Sequence, residues 1–182
     1  MDISMKKNAA RVRSTAAGIL ALIWMCVIFA FSAQTREESS AVSEGISYRM
    51  VNATGLFLHL NIDEEKIREI ANAIEGFVRK GAHMTEYAIL TILLYMWIGR
   101  WQMSRFRRSC AAVVLASFYA CSDEIHQLFV AGRAGRASDV LIDSAGAVVG
   151  LALFLFITKC VGIIKMRKNN KEKKINNHRK AR

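Results

Sequence analysis

The chain has 182 residues, of which 53% are hydrophobic, and its formal net charge is +11. This length allows one modest domain. The basic residues lie mainly between and beyond long apolar runs, a pattern that argues against nucleic-acid binding and favours a membrane protein. The four cysteines lack metal-ligand spacing and no P-loop is present, so neither a metal nor a cofactor is expected.

The first predicted element is a helix over about residues 15–32, after a basic N-terminal tail of residues 1–14. Its uncharged run is long enough to cross a bilayer core, which takes about 20 helical residues. Ala30-Phe31-Ser32 also permits a second interpretation, a cleaved signal peptide. A retained first span is preferred because it fits the charge pattern without cleavage.

Residues 33–82 are too long for a plain loop and form the predicted external segment. Apolar residues at helical spacing predict an amphipathic helix over about residues 62–78, with Asn61 at its start. A weaker helix is predicted over residues 39–59, capped by one of its first serines. The amphipathic helix is expected to lie on the outer interface or to pack over the bundle, as a lid or as a functional element.

Three further spans are predicted over about residues 83–99, 109–127 and 139–158. The predicted fold is therefore an all-α integral membrane protein, a four-transmembrane-helix bundle formed by residues 15–158. The segments expected inside the cell hold 18 of the 26 Lys and Arg residues. The positive-inside rule then places both termini in the cytoplasm of a multi-pass protein.

The basic tail of residues 159–182 has little apolar content after Lys165. It is expected to be disordered and to contact anionic lipid of the inner leaflet.

Acidic residues near the outer ends of three spans are predicted to lie at one depth. With a rise of about 1.5 Å per residue, Glu86, Asp123 and Asp143 lie about 20, 21 and 22 Å from the cytoplasmic ends of their helices. In a hydrocarbon core about 30 Å thick, this layer falls in the outer leaflet. Ionisable residues at such depths mark functional sites by default.

The polar residues close to this layer form the candidate site. The candidate catalytic residues are His83, Glu86, Asp123 and His126. The candidate binding residues are Lys80, Tyr87, Glu124, Gln127, Arg133, Arg136, Asp139 and Asp143. A structural interpretation, in which these groups pair only to fix helix register, stays open. The convergence of a dozen such residues favours a site.

Gly146 and Gly150 form a GxxxG stripe on the last span. Such a stripe permits close contact between helices, and packing within the chain is preferred over dimerisation, although an oligomer stays possible.

Three sequence blocks resemble the VanZ-like family of bacterial membrane proteins. They begin with Phe31-Ser32-Ala33-Gln34, continue with residues 77–90, and end with Ser122-Asp123-Glu124-Ile125-His126-Gln127 and the residues up to Gly146. The resemblance implies a four-helix integral membrane protein, and the family's namesake is linked to resistance to teicoplanin, a glycopeptide antibiotic. Ala131 departs from the pattern, because the family commonly has proline there, and this should loosen the turn that carries Arg133.

Three functions fit these features. The first is a binding module in the outer leaflet, whose partners are membrane lipids, lipid-linked cell-wall precursors or a lipidated glycopeptide. The second is an enzyme in which a carboxylate and a histidine act as acid and base on a lipid headgroup. The third is a proton-coupled carrier, which the apolar helix interiors below the acidic layer disfavour.

Overall fold

The computed structural model describes residues 3–180, and within this range the secondary structure consists of α-helices joined by short connections. The five helices are α1 (Ile3–Ser32), α2 (Arg36–Phe57), α3 (Glu64–Ile98), α4 (Arg105–Gln127) and α5 (Ala137–Lys180). The prediction of an all-α fold is confirmed for these residues. Two stretches, Asn8–Ser32 and Ala137–Glu172, are long and apolar enough to cross a membrane.

Two helix starts lie at other residues than predicted. Thr35 caps α2 in a capping box with Glu38, so this helix begins before the serines expected to cap it. Asp63 caps α3 by accepting a hydrogen bond from the Lys66 N–H, at 2.8 Å, in place of Asn61. In both cases another residue close to the predicted cap is better placed to accept a hydrogen bond from a backbone N–H in the first turn of the helix.

The amphipathic helix and the second span are not separate elements, as the sequence suggested, but one helix of 35 residues. Gly76 and Gly81 lie at the expected boundary, and each disfavours helix by only about 1 kcal/mol relative to alanine. Contacts with α2 hold the helix through this region, because Arg79 donates hydrogen bonds to Ser40 and Ser43. α3 therefore runs unbroken from the external segment into the bundle.

The C-terminal tail also differs from its prediction, because α5 continues as a helix to Lys180. Lysine, arginine and glutamate are good helix formers, and no proline or glycine follows Gly162. A helix that is already formed extends at little cost, since nucleation is the costly step. The last two residues of the tail, 181 and 182, lie outside the described residues.

α3 is the central element and packs against each of the other four helices. Its buried residues include Tyr87, Leu90 and Leu94, and α4 meets them with small side chains at four-residue spacing, such as Ala112 and Ala116. This small-residue face allows the helices to approach closely.

Side chains also join the helices through main-chain carbonyls. Ser14 of α1 donates to Trp97 O at 2.6 Å, Trp24 of α1 donates to Glu86 O at 2.9 Å, and Tyr119 of α4 donates to Met25 O at 2.6 Å. These bonds satisfy polar groups that would otherwise be buried without partners.

The glycine stripe of α5 lies against α3. A Cβ atom on Gly146 would overlap the backbone of Met84, and one on Gly150 would overlap Ala88. The prediction that this stripe packs within the chain is therefore confirmed. The outward faces of α1 and α5 expose large apolar side chains, including Leu22, Phe156 and Ile164.

Candidate functional site

A pocket of about 190 Å³ lies where the start of α2, the middle of α3, the end of α4 and the start of α5 meet. The loop of residues 128–136 completes it. We call this cavity the polar pocket because most of its lining is charged. Its ionisable lining residues are Arg36, Arg79, Lys80, His83, Glu124, Arg133, Arg136, Asp139 and Asp143.

Cations outnumber carboxylates in this lining. Five arginine or lysine side chains face three carboxylate side chains, and Gln127 adds a neutral polar group. The cations come from α2, α3 and the loop, whereas Asp139 and Asp143 lie one turn apart on α5. Such an arrangement can hold an anion, because charge-assisted hydrogen bonds from arginine and lysine are among the strongest in proteins.

The loop that carries Arg133 is fixed by a tight turn. The Arg133 N–H donates to Val130 O at 3.2 Å, and Gly132 has a φ of +72°. These features are typical of a type II turn with Ala131 and Gly132 as its central residues. The Arg36 N–H donates to Ala131 O at 3.5 Å, so the turn is joined to the start of α2.

The Arg133 side chain joins the loop to the end of α1. Its Nε donates to Gln34 O at 2.9 Å, its Nη2 to Phe31 O at 3.4 Å, and its Nη1 to Gln127 Oε1 at 3.4 Å. Burial, followed by the nearby Arg79, lowers the pKa of Arg133 from its usual value. The group stays protonated at neutral pH, since arginine is not deprotonated in proteins.

Glu124 holds the other end of the loop. Its Oε1 accepts a hydrogen bond from the Arg136 N–H, and its side chain is buried at the pocket wall. A carboxylate that accepts a backbone N–H in this way orders the chain entering α5.

Arg79 also lines the pocket, and its side chain reaches from α3 to α2. It pairs with Glu75 one turn earlier on α3, and it donates to Ser40 Oγ at 2.7 Å and to Ser43 Oγ at 3.3 Å. Lys80, the next residue, also lines the pocket and is exposed.

His83 and Glu86 form a pair on α3. The distance from His83 Nδ1 to Glu86 Oε2 is 3.4 Å, and both side chains are mostly buried. His83 lines the polar pocket, while Glu86 lies behind it. A carboxylate beside one ring nitrogen favours the tautomer that carries the proton there and leaves the other nitrogen as the acceptor.

Asp123 lies deeper than the pocket lining and connects to it through Gln127. Gln127 Nε2 donates to Asp123 Oδ2 at 3.3 Å, and Asp123 is 4% exposed. Ser32 lies beside the Asp123 carboxylate, and Tyr87 OH is a buried side-chain atom without a hydrogen-bond partner in the described residues. Asp123 therefore supports the wall of the pocket instead of facing its interior.

The structure brings eight of the twelve predicted site residues to the pocket lining and leaves four outside it. Glu86 contacts His83, Asp123 contacts Gln127, and Tyr87 is fully buried in the core. His126 points elsewhere, because its ring stacks on Phe29 of α1 with centroids 4.4 Å apart.

Sequence reasoning missed two charged lining residues, Arg36 and Arg79. Arg79 lies one helical turn before His83, so its helical spacing could have included it. Arg36 has no such signal, because only the packing of the 128–136 loop on α2 brings it to the pocket.

A metal site is not formed by the described residues, since none of their histidine, cysteine, aspartate and glutamate side chains are grouped to hold an ion. The four cysteines are free thiols.

The helices and the pocket define an all-helical protein with two apolar helices compatible with a membrane, and with a charged cavity at one end of the bundle. The sequence model of the VanZ/LLP1 family matches residues 17–158. The chain belongs to this family, and the match includes every residue that lines the polar pocket. No curated protein and no solved structure matches the chain.

Proposed function

We propose that this VanZ-family chain is a multi-pass protein of the bacterial cell membrane that binds an anionic headgroup in the polar pocket. The observation that carries the proposal is the convergence of five cationic side chains, from α2, α3 and the loop, on one small cavity. Each positioned cation contributes about 1.5–3 kcal/mol when it donates to a charged partner. Phosphate is the anionic group that such a set fits best.

The proposed topology has four spans, formed by α1, the second half of α3, α4 and the first half of α5. Both termini are cytoplasmic, because basic residues cluster in the part of α1 before its apolar stretch, from the α3–α4 connection into the first turn of α4, and after the apolar part of α5. α3 is about 52 Å long, longer than a bilayer core of about 30 Å. Its first half and α2 therefore extend beyond the hydrocarbon core on the outer side, and the polar pocket lies where these segments meet the outer leaflet.

The size of the polar pocket restricts the bound group. At about 190 Å³ it is smaller than most small-molecule sites, which begin at about 300 Å³. A phosphate with its nearest substituents fits this volume, whereas the rest of a lipid would stay in the bilayer. The proposed partners are membrane phospholipids, lipid-linked cell-wall precursors or a lipidated glycopeptide, and the last two would account for a role in teicoplanin resistance.

Binding of phosphatidic acid to the full chain in phosphatidylcholine nanodiscs, measured by native mass spectrometry, tests this proposal. Lys80→Gln and Arg136→Gln each remove one cation from the pocket, and we expect about 10-fold weaker binding. Lys66→Gln is the matched control, because Lys66 lies on the same helix but pairs with Glu69 outside the pocket. We expect the control to bind as the unchanged chain does. Equal losses in all three variants would indicate a general charge effect and contradict a site in the pocket.

A further inference from the structure

The carboxylates of the polar pocket are not explained by anion binding alone. Asp139 and Asp143 line the same cavity as the five cations, and Asp143 is 5% exposed. Like charges near a bound anion oppose its binding, so a pure anion receptor gains nothing from them. Groups of this kind are useful where a proton is transferred during a reaction.

The pair formed by His83 and Glu86 supplies the second part of such a site. Both residues lie on the rigid α3 helix, and the Glu86 main chain is also bound by the Trp24 indole N–H at 2.9 Å. With Glu86 at Nδ1, the neutral form of His83 carries its lone pair on Nε2. A histidine nitrogen of this type acts as a nucleophile or as a base.

The third part is the set of cations around His83. Lys80 lies one turn before it on α3, and Arg133 and Asp143 line the same cavity as His83. Cations that hold the equatorial oxygens of a phosphoryl group stabilise the charge that develops on them during transfer. Nucleophile, cations and carboxylic acid thus share one cavity.

We propose that His83 is a nucleophile that accepts the phosphoryl group of a phosphomonoester held in the polar pocket. This inference rests on the proposed function, because the same cations hold the phosphate. The His83 Nε2 lone pair forms a bond to phosphorus, and the P–O ester bond breaks. Its electron pair goes to the leaving oxygen, which takes a proton from the Asp143 carboxyl.

A water molecule completes the cycle. Its oxygen forms a bond to phosphorus, the N–P bond breaks, and the electron pair returns to His83 Nε2. The proton released by the water returns to Asp143, so the products are an alcohol and inorganic phosphate. Glu86 contacts neither substrate nor phosphorus and is a positioning residue that keeps His83 in the reactive tautomer.

The phosphomonoester could be a lipid headgroup or a water-soluble molecule, and the experiment separates the two. The full chain in nanodiscs is incubated with phosphatidic acid or with glycerol 3-phosphate, each carrying a radiolabelled phosphate, and quenched in alkali. We expect a protein-bound label that mild acid or hydroxylamine removes, as phosphohistidine requires, together with release of inorganic phosphate. Label from phosphatidic acid assigns a lipid substrate, and label from glycerol 3-phosphate alone assigns a soluble one.

The variants locate the reaction. His83→Gln should abolish the label, and Asp143→Asn should lower phosphate release by about 100-fold or more. Glu86→Gln should lower kcat about 10- to 100-fold with little change in KM, because binding of the phosphate does not involve it. His59→Asn is the matched control: His59 lies in the external α2–α3 connection with a φ of +53°, which asparagine tolerates. It should leave labelling unchanged.

Two outcomes would overturn the inference. Phosphate release that persists in His83→Gln would remove His83 as the nucleophile. Binding of phosphatidic acid without any label or phosphate release from either compound would remove the reaction and leave the proposed headgroup site intact. Loss of binding as well would instead contradict the proposed function itself.

Discussion

Arg133 serves the structure and the pocket at the same time. Its Nη2 donates to the Phe31 carbonyl at the end of α1, its Nε donates to the Gln34 carbonyl just after that helix, and its Nη1 donates to Gln127. The last carbonyls of a helix have no partners within the helix, so a guanidinium there stabilises the helix end. Arg133→Ala would lose this anchor together with a pocket cation, which makes Lys80 and Arg136 the sharper tests of binding.

The turn before Arg133 supports a prediction about stability. Ala131 occupies the first central position of a type II turn, where proline is favoured because its φ is preset near −65°. Ala131→Pro should raise the free energy of unfolding by about 0.4–1 kcal/mol, since it restricts the unfolded chain. The Ala131 carbonyl still accepts the Arg36 N–H. Thermal unfolding in detergent should show a higher Tm.

Gly132→Ala provides the opposite change in the same turn. The left-handed φ of +72° strains any residue with a Cβ atom, and that atom would lie 3.3 Å from Arg36 Cβ. A lower Tm is expected. A Tm that falls in Ala131→Pro as well would show that the turn does not tolerate the proline that the family commonly has.

At the scale of helices, the contact between α3 and α5 holds the two sides of the pocket together. Gly146 meets the backbone of Met84, the residue after His83, and lies three residues after Asp143. Because this contact lies next to His83 on α3 and within one turn of Asp143 on α5, a change in the distance between the two helices also changes the geometry of the pocket. Gly146 and Gly150 could be recognised from their four-residue spacing alone, whereas their partners Met84 and Ala88 could not.

Gly146→Ala should destabilise the protein by about 1–3 kcal/mol, because the new methyl group overlaps backbone atoms that cannot rotate away. Gly162→Ala on the same helix is the matched control, since a Cβ there meets nothing within 4 Å and alanine favours helix by up to about 1 kcal/mol. Unfolding in a series of denaturing detergent mixtures measures both. Equal stability of the two variants would contradict close packing of α5 on α3.

Apolar periodicity predicted which segments are helical, but not where the helices end. The sequence predicts an amphipathic helix that ends at about residue 78 and a second span that begins at about residue 83, yet α3 is continuous, and Arg79 in the expected gap is held by Ser40 and Ser43 of α2. Contacts between segments so distant in sequence cannot be read from local propensity. The same limit applies to capping, where neighbouring candidates compete and small differences in geometry decide.

At the scale of the whole molecule, counting residues along predicted spans brought most of the candidate site to one end of the bundle. A helix rises by a constant amount per residue, so depth follows from sequence once the ends are known. The direction in which a side chain points around the helix axis does not follow from such counting, because it depends on packing: His126 stacks on Phe29 instead of lining the pocket. Arg36 required the fold itself, because only packing brings the start of α2 to the 128–136 loop.

The orientation of the bundle yields the last prediction. In a chain whose four native cysteines are replaced by serine, Ala134→Cys places a thiol in the pocket lining, and Asn169→Cys places one on the exposed C-terminal part of α5. The proposed topology puts the first outside the cell and the second inside it. A membrane-impermeant maleimide should therefore label Ala134→Cys in intact cells and Asn169→Cys only after lysis.

The reverse labelling pattern would place the pocket on the cytoplasmic side. A cytoplasmic pocket would still present its cations to inner-leaflet phosphate, but it could not meet a glycopeptide or a wall precursor on the outer surface. Labelling of both thiols in intact cells would show that the basic C-terminal segment is not cytoplasmic. The four-span topology, which places the basic segments in the cytoplasm, would then be wrong. The side of the membrane that the pocket faces therefore decides which of the proposed partners it can reach.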